Sequence, residues 1–253
     1  MLKNAKFGLQ IYSLGDLYLN KATLYEALKI TKEAGYDAIE MLDDVIMEAD
    51  ELKKMLDDVG LECCGWHTPW DYLTKPDLLE MFISYNKIIG NKYLICKWLV
   101  GNYSENKETW LEGCAKMNEI AARLKKSGMY TGIHYADAAE SSLKDTGERL
   151  YDVMAANTCD DFIMQLDTGN SFSRGTDPVA ALKKHKNRYQ TVHLKPYSPT
   201  KGHVPIGEDD TDWAEIAKYL DEYGNTEYII IEHEVPNAAT EVKTCLENFK
   251  KYL

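Results

Sequence analysis

Eight times along the chain, a short run of apolar or β-branched residues gives way to a longer stretch with helical spacing. The runs are FGLQIYS (7–13), AIEM (38–41), LECCGWH (61–67), YLICKWLV (93–100), YTGIHYA (130–136), FIMQLDT (162–168), YQTVHLK (189–195) and YIIIEHE (228–234). Apolar positions three and four apart mark the segments between them. Leu24, Ala27, Leu28 and Thr31 make one such face, and Leu78, Phe82 and Tyr85 another. Ala115, Ile120, Ala121 and Leu124 suit a third, and Trp213, Ile216, Ala217 and Leu220 a later one. Gly35, Gly60, Gly90, Gly128 and Gly224 fall where helices should stop, since the residue past a helix end often turns left-handed.

Strand alternating with helix implies parallel βα units. Eight units in 253 residues predict a (β/α)8 TIM barrel, which usually takes about 250 residues. No Pro- or Gly-rich linker, charge block or low-complexity segment divides the chain, so residues 1–253 are expected to form a single domain. The rival, a doubly wound open sheet, would carry a Gly-rich phosphate turn after its first strand, where this chain reads SLGD.

The chain has 41 acidic against 29 basic residues, a formal net charge of -12. Such a surface repels phosphate backbones and anionic lipid, so neither nucleic acid nor membrane is an expected partner. The six cysteines show no CxxC spacing and read as free thiols, mostly buried. The opening MLKNAKFGLQIYSLGD lacks a signal-peptide core and no run reaches membrane-spanning length. A cytoplasmic protein is the resulting expectation.

Side chains on a strand alternate faces with a period of two. Gly8 and Gln10 stand opposite Phe7, Leu9 and Ile11; Ala38 and Glu40 stand opposite Ile39 and Met41. Cys63, Gly65 and His67 oppose Cys64 and Trp66, and Gly132, His134 and Ala136 oppose Ile133 and Tyr135. Gln165 and Asp167 oppose Met164 and Leu166, while His193 and Lys195 oppose Val192 and Leu194. In the last run Ile230, Glu232 and Glu234 oppose Ile229 and Ile231, which sends His233 toward the helices. One face stays apolar; the other begins small or apolar and ends polar. In a barrel the second face is the inner one, and its C-terminal mouth carries the active site. Gln10, Glu40, His67, His134, Asp167, His193 and Glu232 are therefore expected to ring one pocket. A single strand-end carboxylate is usually a solvated group or a helix cap, but seven polar residues in one register are not. The fourth run stays open, with Lys97 and Trp98 both near its end.

His134, Asp167, His193 and Glu232 come from four successive strands and combine two imidazoles with two carboxylates. That set suits one divalent metal ion of the Mn²⁺, Co²⁺ or Zn²⁺ kind; Mg²⁺ ranks behind them because it prefers all-oxygen ligation. Neither HExxH nor GxSxG occurs, so zincin and serine-hydrolase sites are unsupported. Cys63, expected to face inward, lies two steps below His67, which disfavours thiol catalysis.

The ordered series LDTGN (166–170), VHLKP (192–196), PIGEDDTDW (205–213) and IIIEHE (229–234), with FGLQIYSL at the start and GWHTPWDYL at 65–73, resembles a known superfamily. It is the sugar phosphate isomerase/epimerase superfamily of xylose-isomerase-like TIM barrels, which also includes a DNA-repair endonuclease. The resemblance covers essentially the whole chain. It implies one catalytic divalent metal held by Glu, Asp, His and Glu from strands five to eight. Asp167, His193 and Glu232 match the last three. Strand five departs, with His134 where the first glutamate is usual; GIHYADAAE is closer to members of the form YHNHxxEF. His134 is thus expected as fourth ligand or as base, with Asp137 and Glu140 on the next loop as alternatives.

Ketose epimerases of the family flank the substrate with two metal-bound glutamates, and a histidine in one of those places weakens that symmetric scheme. The expected activity is a metal-dependent isomerase or epimerase of a small sugar, sugar phosphate or polyol. It would move a proton beside a metal-polarised carbonyl, with His134, Glu232 and Lys195 catalytic. Gln10, Glu40, His67, Trp70, Asn170, His203 and Glu234 are the expected substrate contacts. The 17 residues of 196–212 are long for a βα loop and are expected to act as a lid, with His203 as its gate. A lyase or dehydratase of a keto-sugar or keto-glycoside, and a non-catalytic sugar-binding subunit, are the rival readings. Barrels of this family often self-associate, so a homo-oligomer is within scope. A DNA-repair role would need a basic face, which the acidity opposes.

Overall fold

A computed structural model of the chain describes residues 2, 5–99, 103, 105–134, 142–223 and 225–253. Tyr135, Ala136, Asp137, Glu140 and Gly224 lie outside these. Each apolar run contains a strand: β1 (Lys6–Gln10), β2 (Ala38–Leu42), β3 (Glu62–Thr68), β4 (Tyr93–Cys96), β5 (Tyr130–His134), β6 (Ile163–Gln165), β7 (Thr191–Leu194) and β8 (Tyr228–Ile231). A 3-10 segment (Ile11–Tyr18) and α1 (Lys21–Glu33) follow β1, and α2 (Ala49–Val59) follows β2. After β3 come α3 (Trp70–Thr74) and α4 (Pro76–Ile89), after β4 comes α5 (Lys107–Lys125), and after β5 comes α6 (Leu150–Asn157). The last units carry α7 (Thr168–Ser173) and α8 (Pro178–Lys184), then α9 (Trp213–Tyr223), then α10 (Ala238–Phe249).

The strands pair in parallel in the order β6-β5-β4-β3-β2-β1-β8-β7. The remaining gap, between β6 and β7, is drawn together by a parallel bridge from Asp167 to His193. There His193 N donates to Leu166 O at 2.7 Å and Met164 N to Arg188 O at 2.9 Å. The result is a nearly closed eight-stranded barrel, the (β/α)8 architecture expected. Local signals set the helix ends. Asn20 caps α1 by accepting from the backbone of Ala22 and Thr23, and Pro76 opens α4. Gly60 and Gly90 end α2 and α4 at φ 73° and 82°, which a residue with a Cβ resists.

The apolar strand face packs under the helices, with Leu9, Ile39, Trp66, Leu166, Val192 and Ile229 in the main core. Inside the barrel Ala38, Cys64 and Ile230 form one small cluster and Tyr93, Ile95 and Ile163 another. These clusters fill the lower barrel, leaving the polar strand ends above them. Three expectations need correction. Helix α5 buries Trp110, Cys114, Met117, Ile120, Ala121 and Leu124 but exposes Ala115. Helix α4 buries Leu79 and leaves Leu78 only partly covered; adjacent apolar residues satisfy the same helical spacing. In β3 the pairing jumps from Ile39–Cys63 to Glu40–Gly65. This bulge sends Cys64 inward and Cys63 into the outer core, because an inserted residue breaks the period of two. Burial pushes the Cys63 thiol up to about 12, leaving it inert. All six cysteines are free, and Cys159 is exposed.

Candidate metal centre

The polar strand ends meet in one buried hydrogen-bonded network. Glu40, fully buried, accepts from Gln10 Nε2 at 2.6 Å and from His193 Nε2 at 2.6 Å through its Oε2. Its Oε1 accepts from Gln165 Nε2 at 2.9 Å. Room for this carboxylate exists because position 65 is glycine; a Cβ there would lie 2.6 Å from Glu40 Oε1. A carboxylate only accepts, so Gln165 must turn its NH₂ to Glu40 and to Thr191 Oγ1, 3.0 Å away. Gln165 Oε1 then accepts from His67 Nε2 at 2.8 Å and His134 Nδ1 at 2.9 Å. His134 thereby holds its proton on Nδ1 and turns the Nε2 lone pair inward, 3.7 Å from Asp167 Oδ2. Burial, reinforced by the His67 and His193 rings, holds His134 well below the usual histidine range, so it is neutral.

Asp167 has two different oxygens. Oδ1 caps α7 by accepting from Asn170 N at 2.8 Å. Oδ2 is buried and has no hydrogen-bond partner among the described residues, a costly condition for a carboxylate. His193 Nδ1 lies 3.9 Å from it and donates to Glu232 Oε2 at 2.7 Å. One ligand atom from each of His134, Asp167, His193 and Glu232 falls within 4.8 Å of the others. Two imidazoles, two carboxylates and an orphaned buried oxygen fit a divalent cation, with His193 Nε2–H left on Glu40 to fix the ring. Burial pushes the Asp167 carboxyl up to about 6, against the pull of the Lys195 ammonium. Burial also opposes charge on His193, but the Glu40 and Glu232 carboxylates outweigh it and hold the ring up to about 10. Glu232 stays well below the carboxylate range despite burial, because Lys195 and His193 favour its anion.

A cavity of about 540 Å³ opens above this centre. Gln10, His67, His134, Asn170, Lys195, Glu232 and Glu234 line it. Asp167 and His193 lie beneath, fully buried. Lys195 Nζ reaches Glu232 at 3.1 Å, Glu234 at 3.0 Å and Asn170 at 3.3 Å. Burial and the neighbouring Glu232 push Glu234 up to about 7. His233 turns the other way, its Nε2 2.8 Å from Glu241 on α10.

Three expected substrate contacts stand elsewhere. Glu40 is sealed below the cavity and supports His193. Trp70 packs edge-on against Tyr103 at 5.8 Å, and His203 bonds Pro196 O at 3.2 Å; neither is part of the wall. The 196–212 loop bonds to itself, pairing Ser198 with Gly202 and with Asp210. Two lining residues were not anticipated, Tyr12 and Leu42, and Lys97 and Trp98, left open at the end of the fourth run, both line the cavity. Tyr12 follows β1 in the 3-10 segment, Leu42 ends β2, and Lys97 and Trp98 follow β4. Counting on by two from the inward Gln10, Glu40 and Ile95 reaches Tyr12, Leu42 and Lys97, and Trp98 alone breaks the period.

The xylose isomerase-like TIM barrel family model matches residues 28–252, and the chain belongs to that family. Solved structures show the same fold. A sugar phosphate isomerase/epimerase from Parabacteroides distasonis aligns with TM-score 0.78 and 21% identity, covering 96% of this chain and 93% of that one. An L-ribulose 3-epimerase aligns with TM-score 0.75 and 15% identity over 98% and 94%. A probable 3-DHS dehydratase from Bacillus anthracis aligns with TM-score 0.72 and 13% identity over 97% and 98%. No protein of curated function matches the sequence.

Proposed function

We propose that the chain is a divalent-metal-dependent enzyme that isomerises or epimerises a small sugar by moving a proton beside its carbonyl. The observation that carries the reading is Asp167 Oδ2, buried beside three further ligand groups and without a hydrogen-bond partner among the described residues. His134, Asp167, His193 and Glu232 would hold the ion, which when bound supplies electrophilic polarisation of the carbonyl. Lys195 sits at the cavity wall between two carboxylates and donates to the substrate oxygen that gains negative charge. Glu232, ionised and lining the cavity, takes the carbon-bound proton and delivers it to the neighbouring, former carbonyl carbon, which gives the isomer. Epimerisation instead needs a second group to return a proton to the opposite face. Gln165 keeps the His134 proton on Nδ1, and Glu40 orients His193. Gln10, His67, Asn170 and Glu234 supply hydrogen bonds for hydroxyls. The isomerase/epimerase neighbours support this through fold alone.

A second reading, a lyase acting on a keto-sugar or keto-glycoside, is favoured by His134. Its neutral Nε2 faces the cavity floor and can act as base if it does not ligate.

Protein purified without chelator should carry about one divalent ion per chain, read by mass spectrometry of the metal. Asp167→Ala and His193→Ala should carry none while keeping the wild-type circular dichroism. Turnover of a sugar and keto-sugar panel in D₂O should place solvent deuterium in an isomeric product. Stoichiometric metal in both variants would sink the ligand set, and bound metal without turnover would favour a sugar-binding role.

A further inference from the structure

We infer that the cavity takes an unphosphorylated sugar carrying an apolar, ring-sized substituent. This deepens the proposed function and rests on the same metal centre.

Charge balance carries the first half. Two cations line the cavity, Lys195 and Lys97, and no arginine does among the described residues. Lys195 Nζ is 3.1 Å from Glu232 and 3.0 Å from Glu234. Lys97 Nζ lies 3.7 Å from Asp43 and 5.1 Å from the centre of the Trp98 ring. A divalent ion in the quartet would be matched by Asp167 and Glu232. Lys195 would then remain with Glu234 and Lys97 with Asp43, while buried Glu40 adds further negative charge. A phosphate monoester would enter with no surplus positive charge to meet it. Phosphate sites are ordinarily built from arginine forks or open helix N-termini, and the α7 N-terminus here is taken by Asp167 Oδ1.

The distribution of side chains carries the second half. The cavity's hydrogen-bonding groups cluster around the metal centre. Tyr12, Leu42 and Trp98 line the same space, and Tyr12 and Trp98 are 48% and 50% exposed. Aromatic side chains left half open at a cavity mouth present apolar faces that a ring can cover. The volume of about 540 Å³ lies within the range of roughly 300–1,000 Å³ typical of sites for drug-sized ligands. A sugar ring on the polar floor therefore leaves its substituent against Tyr12, Leu42 and Trp98.

The test is calorimetric titration of the metal-loaded chain with matched phenyl and methyl keto-glycosides of glucose, galactose and mannose, whose ring ketone supplies the carbonyl, and with the corresponding sugar 6-phosphates. Within the pair that binds, the phenyl glycoside should bind at least about tenfold tighter, a difference of about 1.4 kcal/mol. Trp98→Ala and Tyr12→Ala should erase that difference without changing metal content, and the 6-phosphates should bind no tighter than the parent sugars. Equal affinities within every pair, a phosphate ester binding tightest, or no binding by any member would overturn the inference. So would a Trp98→Ala change confined to oligomeric state. None of these results alters metal retention or solvent-deuterium incorporation, so failure here is separable from failure of the proposed reaction.

Discussion

Glu40 makes no contact with the cavity, yet it holds Gln10, Gln165 and His193 in place. Replacing it by Gln puts an amide NH₂ or C=O against His193 Nε2 and loosens the ring. Metal affinity should fall about 10- to 100-fold, the usual effect of losing a partner of a ligating histidine. Titrating Co²⁺ into Glu40→Gln and following its visible absorption would show this; an unchanged dissociation constant would sink it. His193 also sets a pH dependence. Its folded pKa, held up at about 10, stands above the ordinary value, so the ring keeps both protons across neutral pH. An ion at Nδ1 must displace one, and affinity should therefore rise with pH, about tenfold per unit for one proton. Calorimetry in buffers of different ionisation enthalpy should report about one proton released per ion near neutral pH. Below about 6 the Asp167 carboxyl also takes a proton, and the dependence should steepen.

The element scale shows what a period of two can and cannot reveal. Within β1, β2, β5, β6, β7 and β8 alternation alone separates packing face from barrel interior, and the polar ends stood out in the sequence. Alternation failed where its geometric premise failed: at the bulge that turns Cys64 inward, and past the end of β4, where Trp98 reaches the cavity beside Lys97. Gln165 lay on the legible face, but its use as a two-way switch of histidine protons depends on distances no pattern contains. Asp167 before a short helix reads as a cap, and it is one; only the structure shows its second oxygen left over. The LDTGN turn carries a further constraint. A Cβ at Gly169 would stand 2.7 Å from Lys195 O and 2.8 Å from Lys195 Cγ, so α7 and the end of β7 touch backbone to side chain. Gly169→Ala should cost roughly 1–3 kcal/mol, measurable as a lower urea midpoint. An unchanged midpoint would show that β7 yields without strain.

For the whole molecule, the positions of Asp167 and His193 matter more than their chemistry. Seven neighbouring strand pairs are joined by ladders, while β6 and β7 are joined among the described residues by one bridge between these two residues and a few bonds beside it, such as Met164 N to Arg188 O. Metal added to chelator-treated protein should therefore raise its melting temperature. At a thousandfold excess over Kd the gain is about 4 kcal/mol. The accompanying slowing of amide exchange should be greatest at the β6–β7 seam. Slowing spread evenly round the barrel would contradict this. A hoop breathes most readily at its loosest joint, and an ion gripping both sides would act as its latch. The tightness of the barrel would then follow the metal content of its surroundings, so that a chelator loosens the fold and empties the centre in one act.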